Sequence, residues 1–371
     1  MPISVSSRLL ALSLVACMAM NASVALAGAS SLRVSEEELG RETDKQIVAQ
    51  FGLYEDKKIQ EYVRSVANKV LATIREPEFE YHFKVLNHEM VNAFALPGGY
   101  IYVTRGLLAM LDSEAALAGV IGHEIGHVIG HHATKQSKKS IGSLLLALGG
   151  LVASEDIRNN AAAWLTVTTT LSQQILLGYG RDMEMESDQV GMIASYEAGY
   201  SPEGIVAFLR SLRTNERLSG RGYHGFVATH PDTIIRIIEA QGKSEILEAR
   251  GGKVKFYRDK YLDSINGIRY GKPKWRRKTL PPYVINIHTV KEGETFRSIA
   301  KNISGDEGMA LEIAVLNSMD HNTPLIPGYR IKTLVPIKST TAPLLKPGRS
   351  HAAEHHEQAK DKKENKKKGK K

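Results

Sequence analysis

Cysteine is all but missing from this chain. Its 371 residues contain one, Cys17, so no intramolecular disulfide can brace the fold. Long apolar runs are missing too. Leu9 to Met20 is uncharged over 12 residues and Ile141 to Ala153 over 13, both short of the roughly 20 needed to span a bilayer. Asn159 to Gly180 carries no charge, but Thr166, Thr168, Thr169, Thr170, Gln173 and Gln174 break its apolar character. These last two segments are predicted to form a helical pair over the functional region, able to rest against a membrane surface. An excess of charge is absent from the body. Residues 346–371 hold ten Lys and Arg against four Asp and Glu, so this tail accounts for +6 of the net +9. A near-neutral body with a basic tail excludes nucleic acid as the expected partner. No tandem repeat is present.

What is present is an ordinary globular composition, 42% hydrophobic and 24% charged, over a length that suits more than one domain. The N-terminus reads as an export signal over residues 1–27. Arg8 closes a short basic region, the apolar run follows, and Ala25-Leu26-Ala27 has the small-x-small cleavage pattern. Leu14-Val15-Ala16-Cys17 also fits a lipobox, which would make Cys17 a lipid anchor. Either route exports the chain, to the periplasm or to the outer membrane as a lipoprotein.

Ser35 to Arg75 is helix-rich by pattern. Glu36, Glu37 and Glu38 suit a helix N-terminus, and Ile59, Val63, Val66, Val70 and Leu71 recur at helical spacing. Tyr81 to Leu86 alternates like a strand. Pro97-Gly98-Gly99 is a turn signal before a second strand, Tyr100 to Thr104. Asp112 or Ser113 can cap a long helix predicted to run to about Lys135, and further helices are expected over Arg181 to Gly199 and from Pro202. Basic and turn-forming residues place a linker at 276–284, so residues 28–275 form the main domain and 285–335 a small second one. Beyond 336 the Lys-, Glu- and His-rich composition cannot bury enough surface to fold.

His123-Glu124-Ile125-Gly126-His127 lies inside the helix that starts near Ser113. Residues i and i+4 share a helix face, so two imidazoles there can grip one metal ion. Glu124 can reach a water on that ion and act as general base in peptide hydrolysis. Imidazole and carboxylate donors suit zinc, and a catalytic zinc needs three protein ligands and an open position. Ala115, Ala116, Leu117, Val120, Ile121, Val128 and Ile129 flank the motif, so it should be buried.

The third ligand has two candidates. In the extended pattern HExxHxxGxxH the last histidine would fall at Ala133, so His131 and His132 are out of register. They read instead as half-exposed helix-end residues, favourable beside a C-terminal dipole. The better candidate is Glu184, which shares a helix face with Asp188. Asp188 could then fix a ligand histidine's tautomer through its second ring nitrogen. Glu186 points elsewhere and is expected to be solvated or paired.

Three separated segments give this chain a specific likeness: Asn92 to Ile101, His123 to His127, and Glu184-Met185-Glu186-Ser187-Asp188. Together they resemble the HtpX and CAAX-prenyl-endopeptidase superfamily of zinc peptidases. Within it, the likeness is to the exported bacterial branch that includes the β-barrel-assembly-enhancing protease. Ser187 stands where that superfamily usually has Ala. The resemblance implies an α+β fold, with a mainly helical, zincin-like (gluzincin) domain and a small sheet. It implies one Zn2+ per chain held by His123, His127 and Glu184, with Glu124 catalytic and Asp188 supporting a ligand. It also implies that His230, in His230-Pro231-Asp232, either stabilises the oxyanion or occupies the open zinc position as a lock, with Arg236 anchoring the loop or the third-ligand helix. By its residues alone, His230 reads equally as a loop histidine before a Pro-started helix. The strand Tyr100 to Thr104 would pair with an extended substrate.

His288 to Ala300, Ile313 to Asn317 and Ile326 to Ile331 resemble a βααβ LysM domain, with Glu294 where Asp is usual. That likeness implies peptidoglycan as a partner. The expectation is an exported zinc endopeptidase acting on misfolded or unassembled envelope proteins and tethered to the wall. An envelope chaperone with a largely occluded zinc site is the alternative, and a peptidoglycan hydrolase is disfavoured because the familiar ones do not pair HExxH with a distant Glu.

Overall fold

The computed structural model of the chain describes residues 35–136, 168–171, 173, 177–219, 226–231, 233–271 and 283–337. The export segment with Cys17, most of the apolar stretches 141–153 and 159–180, the linker apart from its last two residues, and the tail beyond 337 lie outside the described residues.

Helix α1 (Glu36–Phe51) starts where the three glutamates suggest, with the Ser35 hydroxyl accepting the Glu38 amide at 3.1 Å. Asp56 caps α2 (Lys57–Leu71) through the amides of Lys58 and Ile59, and Ile59, Val63, Val66, Ala67 and Val70 bury one face of it. Three strands follow, β1 (His82–Leu86), β2 (Ala93–Leu96) and β3 (Tyr100–Thr104). The turn between β2 and β3 needs positive φ at Gly98 and Gly99, 72° and 88°, which glycine adopts without cost.

The order in this sheet is β1-β3-β2, with β3 parallel to β1 and antiparallel to β2. This overturns one sequence expectation. Tyr100 to Thr104 has strand neighbours on both sides and no free edge for a substrate; the edge facing the functional site is β2. The reason is topological. The Pro97 to Gly99 turn folds β2 back on β3, and the return past β1 inserts β3 between them.

After the short α3 (Arg105–Met110), Ser113 caps α4 (Glu114–Ile129), accepting the Ala116 amide at 3.1 Å. From Glu114 to Val128 every residue of α4 is buried, as an all-round apolar helix demands. It is interrupted at Gly130 and His131, where His131 turns left-handed at φ 49°, and helix resumes over residues 132–136 rather than running unbroken to about Lys135. Against α4 pack α5 (Arg181–Glu197), α6 (Glu203–Ser219) and α2. The short α7 (Phe226–Thr229) and α8 (Thr233–Ala249) flank β2 and α5, and α9 (Arg258–Ile265) packs on α4.

The C-terminal part runs β5 (Tyr283–Thr289), α10 (Phe296–Ile299), α11 (Ala310–Leu316) and β6 (Arg330–Pro336), in strand-helix-helix-strand order. Its sheet is completed by β4 (Arg269–Tyr270) from the preceding region, in the order β4-β5-β6. Ile285, Phe296, Ile313 and Leu334 belong to the same buried apolar cluster as Leu107 and Val120. No helix among the described residues is long and apolar enough to cross a membrane.

Candidate metal centre

The centre begins with an absence of side chains. At Gly191 of α5 an added Cβ would stand 2.4 Å from the His123 amide nitrogen, and at Gly126 of α4 it would stand 2.8 Å from Ser187 Cα. Only glycine allows two backbones this close. Ser187, small and buried, sits at the same contact, which explains why a serine serves where alanine was expected. The approach brings Glu184 and Asp188 of α5 onto His123 and His127 of α4.

Asp188 Oδ1 lies 2.8 Å from His123 Nδ1. A carboxylate accepts, so Nδ1 carries a proton and Nε2 is turned towards the other donors. That Nε2 is 3.0 Å from His127 Nε2. Glu184 completes a triangle, its Oε2 3.5 Å from His123 Nε2 and its Oε1 3.4 Å from His127 Nε2. His230 reaches in from the turn after α7. Its Nδ1 is 3.2 Å from His123 Nε2 and 3.1 Å from both Glu184 oxygens. One donor atom from each of His123, His127, Glu184 and His230 lies within 4.8 Å of the others, a grouping that could hold a metal ion.

Arg236 of α8 locks this arrangement. Its Nε and Nη2 each donate to Asp188 at 2.7 Å, its Nη1 stands 2.8 Å from Glu184 Oε2, and the same Nη1 donates to the His230 carbonyl at 3.3 Å. It thus anchors both the α5 carboxylates and the His230 turn. Burial alone would raise the Asp188 carboxyl, but Arg236 and His123 outweigh it and hold it well below the usual range. Glu184 is likewise held far down, burial being overcome by His230 and by hydrogen bonds from the three histidines. Burial would lower His123, yet Asp188 and Glu184 push it up to about 9, whereas burial dominates at His127 and lowers it.

Glu124 is buried with neither carboxylate oxygen hydrogen-bonded, and Oε1 lies 3.5 Å from His230 Nε2. Burial raises its pKa. All six residues singled out in the sequence, His123, Glu124, His127, Glu184, Asp188 and His230, therefore converge in one buried cluster.

Tyr179 was missed and His132 was misjudged. Tyr179 stacks on His127 with ring centroids 4.1 Å apart, its hydroxyl buried and without a hydrogen-bond partner among the described residues. His131 is partly exposed, as expected, and bridges Glu36 and Glu78 at 3.1 and 3.2 Å. His132 is not exposed: its relative accessibility is 1% and its Nδ1 lies 2.8 Å from His127 Nδ1. The expectation for His132 failed because it assumed an unbroken helix through Gly130. A glycine at that point is a helix-stop signal, and it could have shown that the helix is interrupted just before His132. A small cavity of about 10 Å3 lies between β2, His127 and Tyr179 among the described residues.

The sequence profile of peptidase family M48 matches residues 55–244, which include every residue of this cluster. The β-barrel assembly-enhancing protease of Escherichia coli (strain K12) is 26% identical over 220 residues, covering 58% of this chain and 45% of that protein. Its counterpart from Yersinia pestis is 25% identical over 229 residues, covering 59% and 46%. The mitochondrial metalloendopeptidase OMA1 of Schizosaccharomyces pombe is 26% identical over 209 residues, covering 54% and 59%. The chain spans about half the length of these curated relatives.

Proposed function

The chain belongs to peptidase family M48, and from that premise we propose that it is an exported zinc endopeptidase that cleaves unfolded or misassembled envelope proteins. One observation carries the reading. The Nε2 atoms of His123 and His127 face each other at 3.0 Å beside a buried carboxylate, while Asp188 claims the proton on His123's other nitrogen. Two lone pairs so opposed repel, so either a proton or a metal cation must lie between them. The donor set, two imidazoles and a carboxylate, fits zinc. The unpartnered oxygens of Glu124 beside it fit a base waiting for a water.

In this reading His123, His127 and Glu184 hold the ion, and His230 takes the fourth position in a resting state. His230 Nδ1 sits among the other donors, which favours the lock over the oxyanion role. A zinc ion held by these residues would supply Lewis acidity, which lowers the pKa of a water towards about 7. Glu124, its pKa raised by burial, takes a proton from the attacking water and returns it to the leaving amine. Asp188 keeps His123 in the right tautomer and Arg236 keeps Asp188 in place. His230 Nε2 lies 3.4 Å from the Ala93 carbonyl, so withdrawal of the 226–230 turn would free the β2 edge for an extended peptide. Such a substrate must be unfolded where it is cut. The relatives, one an assembly-enhancing protease and one a metalloendopeptidase, support a protein substrate.

The C-terminal strand-helix-helix-strand unit, read as LysM-like, would add peptidoglycan binding in the periplasm; sedimentation with purified sacculi tests that part alone. A second reading, an envelope chaperone with an occluded centre, draws support from the burial of the whole cluster. Casein cleavage separates the two. Mature protein should degrade casein, lose this with a chelator and regain it with zinc. Glu124→Gln should reduce it by about 100-fold or more, and His230→Ala should raise it if His230 is a lock. Wild-type and His230→Ala proteins that hold zinc and cleave nothing would leave the chaperone reading in place.

A further inference from the structure

His123 has its tautomer fixed by Asp188, and His127 needs an equivalent. Its Nδ1 meets no carboxylate. It meets the ring of His132, Nδ1 to Nδ1 at 2.8 Å. One of two facing nitrogens must donate and the other accept. On the far side of that ring, His132 Nε2 lies 3.3 Å from Glu186 Oε2, and Glu186 can only accept while ionised. The proton order follows. His132 carries its hydrogen on Nε2 and gives it to Glu186, its Nδ1 accepts from His127 Nδ1–H, and His127 Nε2 is left with a lone pair directed at Glu184 and His123.

We propose that His132 is a positioning residue for the metal centre, holding His127 in the Nδ1–H tautomer through a His127–His132–Glu186 relay, an inference that rests on the zinc reading above.

The local chain is shaped for this contact. A Cβ on Gly130 would stand 2.3 Å from His132 Nε2, so only glycine at the helix end leaves room for the ring. His131, left-handed at φ 49° and tied to Glu36 and Glu78, breaks α4 just before His132, whose ring then meets His127. Ser187 Oγ, 3.3 Å from His132 Nδ1, braces the ring from α5. Glu186 itself is 57% exposed, so the relay runs from the buried centre to the surface of α5.

The test measures zinc affinity by competition with a chromogenic chelator, for wild type, His132→Leu, His132→Asn and Glu186→Leu, with circular dichroism as the control for folding. Asn places Oδ1 where His132 has Nδ1, and so keeps the acceptor. His132→Leu should weaken zinc binding about 10- to 100-fold, His132→Asn should stay within a few-fold of wild type, and Glu186→Leu should lose a few-fold. If His132→Leu does not fold, the Asn and Glu186 variants still decide. Wild-type affinity in a folded His132→Leu or in Glu186→Leu, or a folded His132→Asn as weak as His132→Leu, would overturn the relay. Failure of wild type itself to bind zinc would instead sink the zinc reading.

Discussion

Arg236 concentrates the electrostatics of the centre in one side chain. It is buried, it donates twice to Asp188, and it stands beside Glu184. A guanidinium suits this task because its fixed fork matches a carboxylate in two bonds, which lysine cannot do. Replacing it leaves two buried carboxylates without their cation. Arg236→Met should therefore cost about 3–5 kcal/mol in urea unfolding, and Arg236→Lys should recover only part of it. A loss below about 1 kcal/mol would mean that the pair is solvated in a way its burial does not suggest. At this scale the sequence was most legible where chemistry is local. HExxH carries its geometry in its own spacing, because i and i+4 always share a face. His132 was illegible for the opposite reason: its role depends on a left-handed turn at His131 and a close approach across Gly130, neither visible in residue type alone.

The pairing of α4 with α5 turns two sequence-distant motifs into one centre. Periodicity and capping residues located both helices, and their start sites at Ser113 and Arg181 agree with the structure. What they could not reveal is the backbone contact at Gly191, since a glycine inside a helix reads only as a weak spot. Gly191→Ala tests that contact. Its new Cβ meets the α4 backbone rather than a movable side chain, so α5 must shift outward and carry Glu184 with it. The expected result is a loss of about 1–3 kcal/mol together with weakened zinc binding. Zinc affinity equal to wild type in Gly191→Ala would show that the centre does not depend on that close approach. The order of the small sheet was also out of reach. Alternation located Tyr81 to Leu86 and β-branched and aromatic residues located Tyr100 to Thr104, but Ala93 to Leu96 carried no such pattern, and nothing in Tyr100 to Thr104 distinguishes a central strand from an edge.

Across the whole molecule the C-terminal unit is bound to the catalytic part by polar contacts as well as by a shared core. Lys332 of β6 is buried and donates to the carbonyls of Ala109, Met110 and Leu111, at 2.9, 3.1 and 2.8 Å, where α3 ends. Arg330 pairs with Asp259 and Asp263 of α9, and Arg258 lies over the Tyr329 ring at 4.4 Å. Burial pushes Lys332 down to about 7 from 10.5, with Asp112 offsetting part of it. Between those two values the unfolded chain holds a proton that the folded chain has released, leaving a neutral amine whose two N–H groups serve two of the three carbonyls at a time. Stability should therefore rise as pH climbs from about 7 to 10. Lys332→Met should be less stable, because three carbonyls lose their donor, and should lack this rise. Equal pH slopes for the two proteins in urea unfolding would contradict it. The sequence pattern pointed to a separate unit here; the single apolar cluster and the Lys332 contact were hidden because they depend on how two distant segments dock.

The central claim is that His123, His127 and Glu184 hold one zinc ion beside Glu124. Its most direct test is the zinc content of purified mature protein after metal-replete dialysis, beside Glu184→Ala and Glu124→Gln. The account expects about one zinc per chain in wild type and in Glu124→Gln, since Glu124 is not a ligand, and little or none in Glu184→Ala. A folded wild type without zinc, or a Glu184→Ala variant that keeps it as tightly as wild type, would contradict the account.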